Sequence, residues 1–192
     1  MNKIRQFFND IAPTWHNDES DELINSLLNE LDIKNGDMVL DLACGKGVMT
    51  PYLYERTKNK VVAIDISDNM IAAAKEIHQG NDGLVFICAD FLDYDFKEKF
   101  DHIIIYNAYP HFLDVEKLSQ KAFSLLNKDG HLAIVHSISK EHLNSHHKQK
   151  AMGVSRYLEE ASIEAKKFKT LFNVVKCLDD ENKYLILLKA NN

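Results

Sequence analysis

Three acidic residues stand at the carboxyl ends of three successive apolar segments, where they could bind a ligand. Asp41 lies in "VLDLACGKG", Asp65 ends "KVVAID", and Asp90 follows "LVFICA". A carboxylate at such a position can accept hydrogen bonds from an ammonium group, from ribose hydroxyls or from the amino group of an adenine. Each acid alone could instead cap the helix or turn that follows it. Three acids at three strand ends together favour a ligand site.

The loop after the first of these acids is rich in glycine. Gly45 and Gly47 in "ACGKG" let the backbone turn tightly and approach a ligand closely. A dinucleotide-binding loop has the pattern G-x-G-x-x-G, and Thr50 stands here at the third position. Asp41 is better matched to an ammonium group than to a pyrophosphate. The pattern favours a zwitterionic or cationic ligand over NAD, although a Gly-x-Gly pair after a strand can also be a simple turn.

Histidines form a second group of residues that could take part in chemistry. His111 follows an apolar segment in "HIIIYNAYPHF", His136 ends another in "HLAIVHS", and three more stand in "EHLNSHH". Histidine titrates near neutral pH, so His111 and His136 are candidate general bases. Pro110 stiffens the loop and restricts the preceding Tyr109, a candidate substrate contact, to an extended backbone. A single loop histidine is also commonly a hydrogen-bonded surface residue.

Metal binding is an alternative role for these histidines. His142 and His146 are four residues apart and share a face if their segment is helical, where they could bind a metal or simply be solvated. His111, His136 and His147 together could hold a Zn²⁺ or Fe²⁺ ion that activates an acceptor. We prefer a general base or a positioning role, and the metal itself stays unassigned.

Apolar strand patterns alternate with helical patterns along the chain. Uniformly apolar strands between helices predict a parallel sheet that is covered on both faces. The last two segments, "FKTLFNVVKCL" and "KYLILLKA", flank the polar turn "DDEN" and predict an antiparallel hairpin. The fold class is therefore α/β, with a doubly wound, mostly parallel seven-stranded sheet and an antiparallel edge hairpin. The five strands before the hairpin are predicted at 38–43, 60–65, 84–89, 102–107 and 131–136.

The helices between these strands carry recognisable end signals. Ser20 and Ser67 each precede a helical pattern and are predicted N-caps. A further helix is predicted over about 115–126, with "NKDG" closing it and Gly130 in the C-terminal turn. No linker or repeat interrupts the chain, so we predict a single domain over 1–192. Its parts are a helical cap (1–35), a cofactor-binding core (36–138), a substrate lid (139–155) and a helix with the hairpin (156–192).

Composition narrows the classes of partner. A net charge of −6 and a pI near 5.8 argue against a nucleic-acid partner, so we expect a small-molecule substrate. Cys44, Cys88 and Cys177 are widely spaced, which predicts reduced thiols and a cytoplasmic protein. No apolar run approaches the roughly 18 residues of a membrane helix. The N-terminus does not have the pattern of a secretory signal, and we expect a monomer or a homodimer.

Four segments together resemble a known enzyme family. "VLDLACGKG", "VVAIDIS", "FICADFLDY" and "GHLAIVHS" occur in the order and spacing of the class I S-adenosylmethionine-dependent methyltransferases, with their Rossmann-like fold. The similarity covers nearly the whole chain and looks like the small branch that includes the ubiquinone and menaquinone methyltransferases. In that branch an N-terminal helix, which "FFNDIAPTWH" resembles, folds over the cofactor with aromatic residues. The resemblance implies these cofactor-binding residues: Trp15, Asp41, Ala43, Cys44, Gly45, Gly47, Asp65, Ile66, Met70, Asp90, Phe91 and Asn107.

The same resemblance implies a role for each part of this set. Asp41 and the loop 43–47 would line the methionine part of S-adenosyl-L-methionine, Asp65 would bind the ribose, and Asp90 would hold the adenine amino group. Asn107 would form the floor of the pocket. Three apolar residues would pack around the adenine: Ile66, Met70 and Phe91. At position 43 many members of the family have glycine, and this chain has alanine.

The implied reaction is methyl transfer by in-line displacement to a thiol, a hydroxyl or an activated carbon of a small molecule. Such a reaction needs alignment and exclusion of water more than covalent help. "NAYPHF" and "HSISKEHLNSHH" are also similar to a subset of bacterial methyltransferases of unassigned substrate, which singles out His111, His136 and the possible substrate contact His147. The alternatives are a metal-assisted methyltransferase and a non-catalytic binder of the cofactor. An NAD-dependent dehydrogenase would need the third glycine and a Ser/Tyr-Lys set.

Overall fold

The computed structural model describes residues 2–16, 19–151 and 153–192, and for residues 146–150 it describes the backbone only. The chain divides into two compact units, Met1–Lys97 and Glu98–Asn192. Its seven strands form a sheet with the order β3-β2-β1-β4-β5-β7-β6, in which the last two strands are antiparallel. The predicted fold class is confirmed. The predicted division into cap, core, lid and hairpin stays a prediction.

The first unit contains three parallel strands. Every residue of β1 and β2 is buried, because strands inside a sheet with two covered faces meet no water on either side. β2 pairs with β1 on one side and with β3 on the other, and Asp65 at its end stands opposite Cys88. The elements in order are α1 (Lys3–Ile11), α2 (Asp21–Leu28), β1 (Val39–Leu42), α3 (Thr50–Thr57), β2 (Val61–Asp65), α4 (Asp68–Ile77) and β3 (Leu84–Cys88).

The second unit contains four strands. β4 and β5 are parallel, and β7 returns antiparallel between β5 and the edge strand β6. Aromatic side chains of Phe168, Phe172 and Tyr184 are completely or almost completely buried in its core. The elements in order are β4 (Phe100–Tyr106), a 3-10 turn (Tyr109–His111), α5 (Val115–Leu125), β5 (Leu126–His136), α6 (Lys140–Lys150), α7 (Ala161–Ala165), a 3-10 turn (Lys166–Phe168), β6 (Phe172–Asp179) and β7 (Tyr184–Ala190).

The predicted helix caps are present. The hydroxyl of Ser20 accepts a hydrogen bond from the backbone N–H of Leu23, and that of Ser67 accepts one from Met70. These bonds satisfy N–H groups in the first helical turn that have no partner within the helix. The five predicted strands before the hairpin and the hairpin itself are confirmed, with small differences at their ends.

The beginning of β5 differs from the prediction. The segment "NKDG" belongs to a strand that spans Leu126–His136, and it is not the C-terminal turn of a helix. Within it Asp129, not Gly130, adopts the left-handed backbone conformation, with φ of 62°. Gly130 has a steric role, because a Cβ there would lie 3.0 Å from the carbonyl oxygen of Asn127. Pairing with β4 passes from Leu126 directly to His131, so residues 127–130 form a turn-like irregularity within β5.

The helices in the described ranges lack the combined length and apolar character that crossing a bilayer requires.

Candidate functional site

The loop after β1 turns through three residues with positive φ. Ala43, Gly45 and Gly47 have φ values of 60°, 54° and 79°. A Cβ on Gly47 would lie 2.8 Å from the ring of Phe86, so only glycine fits there, whereas a Cβ on Gly45 would meet no atom within 4 Å. Ala43 stands where glycine is favoured, and a left-handed L-residue costs roughly 1–2 kcal/mol. The departure from the family pattern at position 43 therefore carries a strain cost.

This loop is attached to the end of β2 by backbone hydrogen bonds. The N–H of Cys44 donates to the carbonyl of Ile64 (3.1 Å), and the N–H of Gly45 donates to Oδ2 of Asp65 (2.9 Å). The other oxygen of Asp65 accepts from the N–H of Ser67 (2.8 Å), at the start of α4. Asp65 thus ties the glycine loop to the first turn of α4, a structural role that exists alongside the predicted ribose contact.

Two buried carboxylates give this region its electrostatic character. Asp41 is 1% exposed, and its Oδ2 accepts a hydrogen bond from the hydroxyl of Thr50 (2.6 Å). Burial raises the pKa of Asp41 to about 7, the bond from Thr50 opposes this shift, and the charge of Asp65 adds to it. Burial also raises the pKa of Asp65, against the opposing bonds from Ser67 and Gly45. A positive charge close to them would lower these raised pKa values and favour the ionised carboxylates.

The thiol of Cys44 is not activated as a nucleophile. Burial raises its pKa well above the ordinary value, and the charges of Asp41 and Asp65 raise it further. A thiol in such surroundings stays protonated and behaves as a small apolar group. Cys44 therefore contributes shape and backbone groups to the loop.

Asp90 has one of the two roles considered from the sequence, that of a capping residue. Its Oδ1 accepts from the N–H of Leu92 (3.0 Å), as a capping residue does, and its Oδ2 lies 3.4 Å from the side-chain nitrogen of Asn2. Phe91 is buried, with its ring 6.0 Å from that of Phe96. Binding of an adenine amino group by Asp90 stays a prediction.

The predicted adenine contacts differ in exposure. Met70 is 2% exposed on the inner face of α4, whereas Ile66 is half-buried in the turn before this helix. Trp15 is 40% exposed, and its carbonyl oxygen accepts a hydrogen bond from the Lys46 ammonium (2.8 Å). The segment after α1 is thus attached to the glycine loop, although the structure leaves the cofactor roles of these residues as predictions.

Asn9 is a residue that the sequence analysis missed. Its Oδ1 accepts from the hydroxyl of Ser67 (2.7 Å) and from the N–H of Asn69 (3.2 Å), and its Nδ2 donates to Asp68 (3.3 Å). The side chain of Asn69 donates back to the Asn9 carbonyl (3.0 Å). These bonds attach α1 to the beginning of α4. Asn9 is 58 to 60 positions from its partners, so no local pattern could reveal them.

In the second unit, Asn107 connects the ends of β4 and β5. It has a φ of 53°, and its side-chain amide exchanges two hydrogen bonds of 2.9 Å with Ser137. Its backbone N–H donates to the carbonyl of Val135 (2.9 Å). Asparagine tolerates this backbone conformation better than most residues do, which explains its presence here. The predicted role as a pocket floor is not tested by these contacts.

His111 lies in the 3-10 turn that follows β4. Its Nδ1 is 2.9 Å from the carbonyl oxygen of Val154, and the side chain is part-buried. A carbonyl only accepts, so the neutral ring carries its proton on Nδ1 and its lone pair on Nε2. Burial lowers the pKa of His111, and the bond to Val154 partly opposes this shift. The ring is therefore in its basic form near neutral pH.

The other predicted residues of this unit are more deeply buried. His136 is completely buried, with its ring edge-to-face against Tyr184 at 5.7 Å. Tyr109 is also completely buried, and its hydroxyl donates to Glu164 (2.8 Å). The structure thus gives both residues packing roles, and their predicted roles in catalysis and substrate contact stay predictions.

The metal alternative depends in part on residues that the structure does not describe. The side chains of His146 and His147 lie outside the described residues. Among the residues whose side chains are described, no cluster of three histidine, cysteine or acidic residues could hold a metal ion. The substrate contact predicted for His147 is likewise left as a prediction.

The glycine loop and its carboxylates fit the cofactor that the sequence implied. The hydrogen bonds of Asp41 and Asp65 come from a hydroxyl and from backbone N–H groups, and none of these donors carries a positive charge. A ligand with a sulfonium and an ammonium group supplies that charge. The open space at Gly45 lets such a ligand approach the backbone.

Comparison with protein families identifies the class of the chain. Residues 33–188 match the family model described as a methyltransferase domain. The chain belongs to this family. Its members are S-adenosylmethionine-dependent methyltransferases, so S-adenosyl-L-methionine is the cofactor of this chain.

Curated relatives share part of the chain. A malonyl-[acyl-carrier protein] O-methyltransferase of Acetivibrio thermocellus is 30% identical over 116 residues, which cover 58% of this chain and 40% of the relative. A phosphoethanolamine N-methyltransferase of Plasmodium falciparum is 32% identical over 117 residues, covering 59% of this chain and 44% of the relative. The chain therefore spans less than half the length of these methyltransferases.

Solved structures share the fold over the whole chain. A methyltransferase of Haloferax volcanii in complex with the Trm112 activator has a TM-score of 0.80 at 17% identity, covering 99% of this chain and 98% of the other. The N-methyltransferase NodS of Bradyrhizobium japonicum, solved with S-adenosyl-L-homocysteine, has a TM-score of 0.74 at 15% identity and complete coverage of both chains. At identities of 17% and 15%, this structural similarity is evidence for the fold alone.

Proposed function

We propose that this chain transfers the methyl group of S-adenosyl-L-methionine to a small-molecule acceptor, with His111 as the general base. When bound, the cofactor supplies an electrophilic methyl group on a sulfonium. Asp41 and Asp65 hold its positive and hydroxyl groups, and the backbone at Gly45 lies against it. A general base is needed when the acceptor is a hydroxyl, a thiol or an activated carbon, so we place the acceptor in one of these classes.

The hydrogen bond from His111 Nδ1 to the Val154 carbonyl carries the assignment of the base. It leaves Nε2 as the proton-accepting atom and fixes the plane of the ring. His111 also follows the carboxyl end of β4, and ligands of doubly wound sheets bind beyond the carboxyl ends of the strands. A base at Nε2 takes the acceptor proton as the nucleophile attacks, which an unionised hydroxyl or thiol requires.

A small acceptor is supported by the charge of the chain, whereas the relatives bear only on which atom is methylated. The net charge of −6 opposes binding to a phosphate backbone. One curated relative is named for O-methylation and another for N-methylation, so the acceptor atom differs among related enzymes. The proposal includes a cytoplasmic location, supported by three unpaired cysteines.

The proposal takes the chain to act by itself, as a monomer or a homodimer. One structural neighbour was solved with an activator protein, and activity of the purified chain alone distinguishes the two situations.

The first prediction concerns His111. We expect His111→Ala to reduce kcat by about 10²-fold or more, the usual effect of removing a general base, with unchanged affinity for S-adenosyl-L-homocysteine. The acceptor is first found by screening small hydroxyl, thiol and carbon acids with methyl-labelled cofactor, and calorimetry measures the affinity. In the wild-type enzyme kcat should fall with decreasing pH, with a midpoint below the ordinary histidine value of 6.5, because burial lowers the pKa.

His131→Ala is the matched control, because His131 stands at the opposite, amino-terminal end of the paired segment of β5. It should retain turnover. Unchanged turnover in His111→Ala with the identified acceptor would refute the assignment of the base.

A further inference from the structure

A buried carboxylate in the second unit accepts hydrogen bonds from four donors. Glu164 is completely buried, and its Oε2 accepts from the Tyr109 hydroxyl (2.8 Å). Its Oε1 accepts from Arg156 Nη1 (2.7 Å), Lys167 Nζ (2.9 Å) and the N–H of Glu159 (3.2 Å). These bonds hold the pKa of Glu164 below its ordinary value even though burial acts to raise it. The carboxylate is thus ionised and satisfied.

Arg156 connects this carboxylate to the turn that carries His111. Its guanidinium lies over the ring of Tyr109, 4.2 Å from the ring centre, and its Nε donates to the carbonyl of Phe112 (3.3 Å). Its backbone N–H donates to the carbonyl of Pro110 (3.0 Å). Arg156 therefore contacts the turn 109–112 in three ways: its guanidinium stacks on the Tyr109 ring, its side-chain N–H donates a hydrogen bond, and so does its backbone N–H.

The bond that orients His111 lies two residues before Arg156. The Val154 carbonyl, which accepts from His111 Nδ1, belongs to the same segment, and Arg156 fixes the position of that segment relative to the turn. A shift of the segment by about 1 Å would lengthen the bond to His111 beyond the usual range for hydrogen bonds. The ion pair is thereby connected to the alignment of the histidine through this segment.

We propose that the Arg156–Glu164 ion pair is a positioning device that fixes the tautomer and the orientation of His111. Glu164 holds the guanidinium, the guanidinium holds the segment 154–157 against the turn 109–112, and the Val154 carbonyl then selects the ring form with a proton on Nδ1. Buried ion pairs add little net stability, and their best-supported use is to specify one arrangement over others. The proposal deepens the proposed function, since it explains how the base is oriented.

The choice of arginine follows from its shape. A planar guanidinium can stack on Tyr109 and donate in two directions at once, whereas a lysine ammonium is a point charge. Arg156→Lys keeps the charge beside Glu164 and loses the stacking and the bond to Phe112. Glu164→Gln keeps the shape of the acceptor and loses its charge.

The primary test measures the ring form of His111 directly. ¹⁵N NMR of labelled protein, with the His111 signals assigned by comparison with His111→Ala, shows which nitrogen carries the proton. We expect a single Nδ1–H form in the wild type, and in both Arg156→Lys and Glu164→Gln a mixture of tautomers. An unchanged single tautomer in both variants overturns the proposal. This readout does not require that His111 is the base, so it separates failure of the positioning device from failure of the proposed function.

A double-mutant cycle gives an independent test. We expect Arg156→Lys to reduce kcat by about 10-fold to 10²-fold, the scale of a small misalignment, with little change in the KM for the cofactor. In a His111→Ala background the same substitution should have almost no further effect, because its target is gone. Additive losses in the double variant would overturn the proposal.

Matched controls separate positioning from general damage. Arg56→Lys alters another arginine, which donates hydrogen bonds to the Asn25 carbonyl and the Asn29 side chain in the first unit. Glu55→Gln alters an exposed ion pair with Lys58. Both should keep the wild-type tautomer and turnover. Circular dichroism checks that each variant is folded. If one Arg156–Glu164 variant does not fold, the other still decides the tautomer.

Discussion

Asp41 is a buried residue whose protonation we expect to couple cofactor binding to pH. Its pKa of about 7 results first from burial, with a further contribution from the neighbouring charge of Asp65. A folded-state value above the ordinary 3.8 means that the ligand-free protein loses stability as the pH rises through about 7. A cationic ligand acts in the opposite direction, because it stabilises the ionised carboxylate.

We therefore expect binding of S-adenosyl-L-methionine to release a proton from Asp41 at pH values below about 7, so that the affinity increases up to that pH and then levels off. Calorimetry in two buffers with different ionisation enthalpies measures the released proton. Asp41→Asn should bind more weakly and lose this pH dependence, whereas Asp32→Asn, an exposed acid paired with Lys34, should behave as the wild type. Binding without proton release at about pH 6 would contradict the role of Asp41.

At the scale of the element, α1 depends on polar contacts for its attachment. None of its residues is buried, although it packs against α4. Its apolar residues Ile4, Phe7, Phe8 and Ile11 are only half-buried, so we expect the Asn9 bonds to the first turn of α4 to contribute substantially to the attachment.

Asn9→Ala should loosen α1 without unfolding the rest of the chain. We expect faster hydrogen exchange over residues 3–11 and a loss of local stability of about 1 kcal/mol for each lost bond, measured by hydrogen-exchange mass spectrometry. Gln6→Ala is the control, because Gln6 bonds Asp10 within the same helix and has no part in the docking. Equal exchange rates in the wild type and Asn9→Ala would show that other contacts hold the helix.

At the scale of the whole molecule, family and fold predict which ligand stabilises the chain. A ligand that binds only the folded state at 100 times its Kd adds about 2.7 kcal/mol. For a chain of 192 residues this corresponds to a rise in Tm of roughly 5–10 °C. S-adenosyl-L-homocysteine should produce this rise in a thermal-shift experiment, and NADH should not. A rise with NADH alone would favour the dehydrogenase alternative.

The sequence alone was sufficient for the fold class, the strand sequence, the caps at Ser20 and Ser67, and the cofactor family. The first three depend on periodicity and on residues close together in the chain, whereas the cofactor family follows from the resemblance of local segments such as the loop after β1. The requirements at such positions are local, because a turn needs a residue that tolerates positive φ and the first helical turn needs an acceptor for its N–H groups.

Only the tertiary structure revealed the contacts that position the predicted site residues. Tyr109 and Glu164 are 55 positions apart, His111 and Val154 are 43 apart, and Asn9 and Ser67 are 58 apart. The pKa of Asp41 likewise depends on how deeply the fold buries it. The start of β5 shows the same limit, because pairing with β4 at Leu126 and again from His131 places the turn-like segment "NKDG" inside a strand. Local patterns determine elements, whereas burial and long-range pairing determine what their side chains can do.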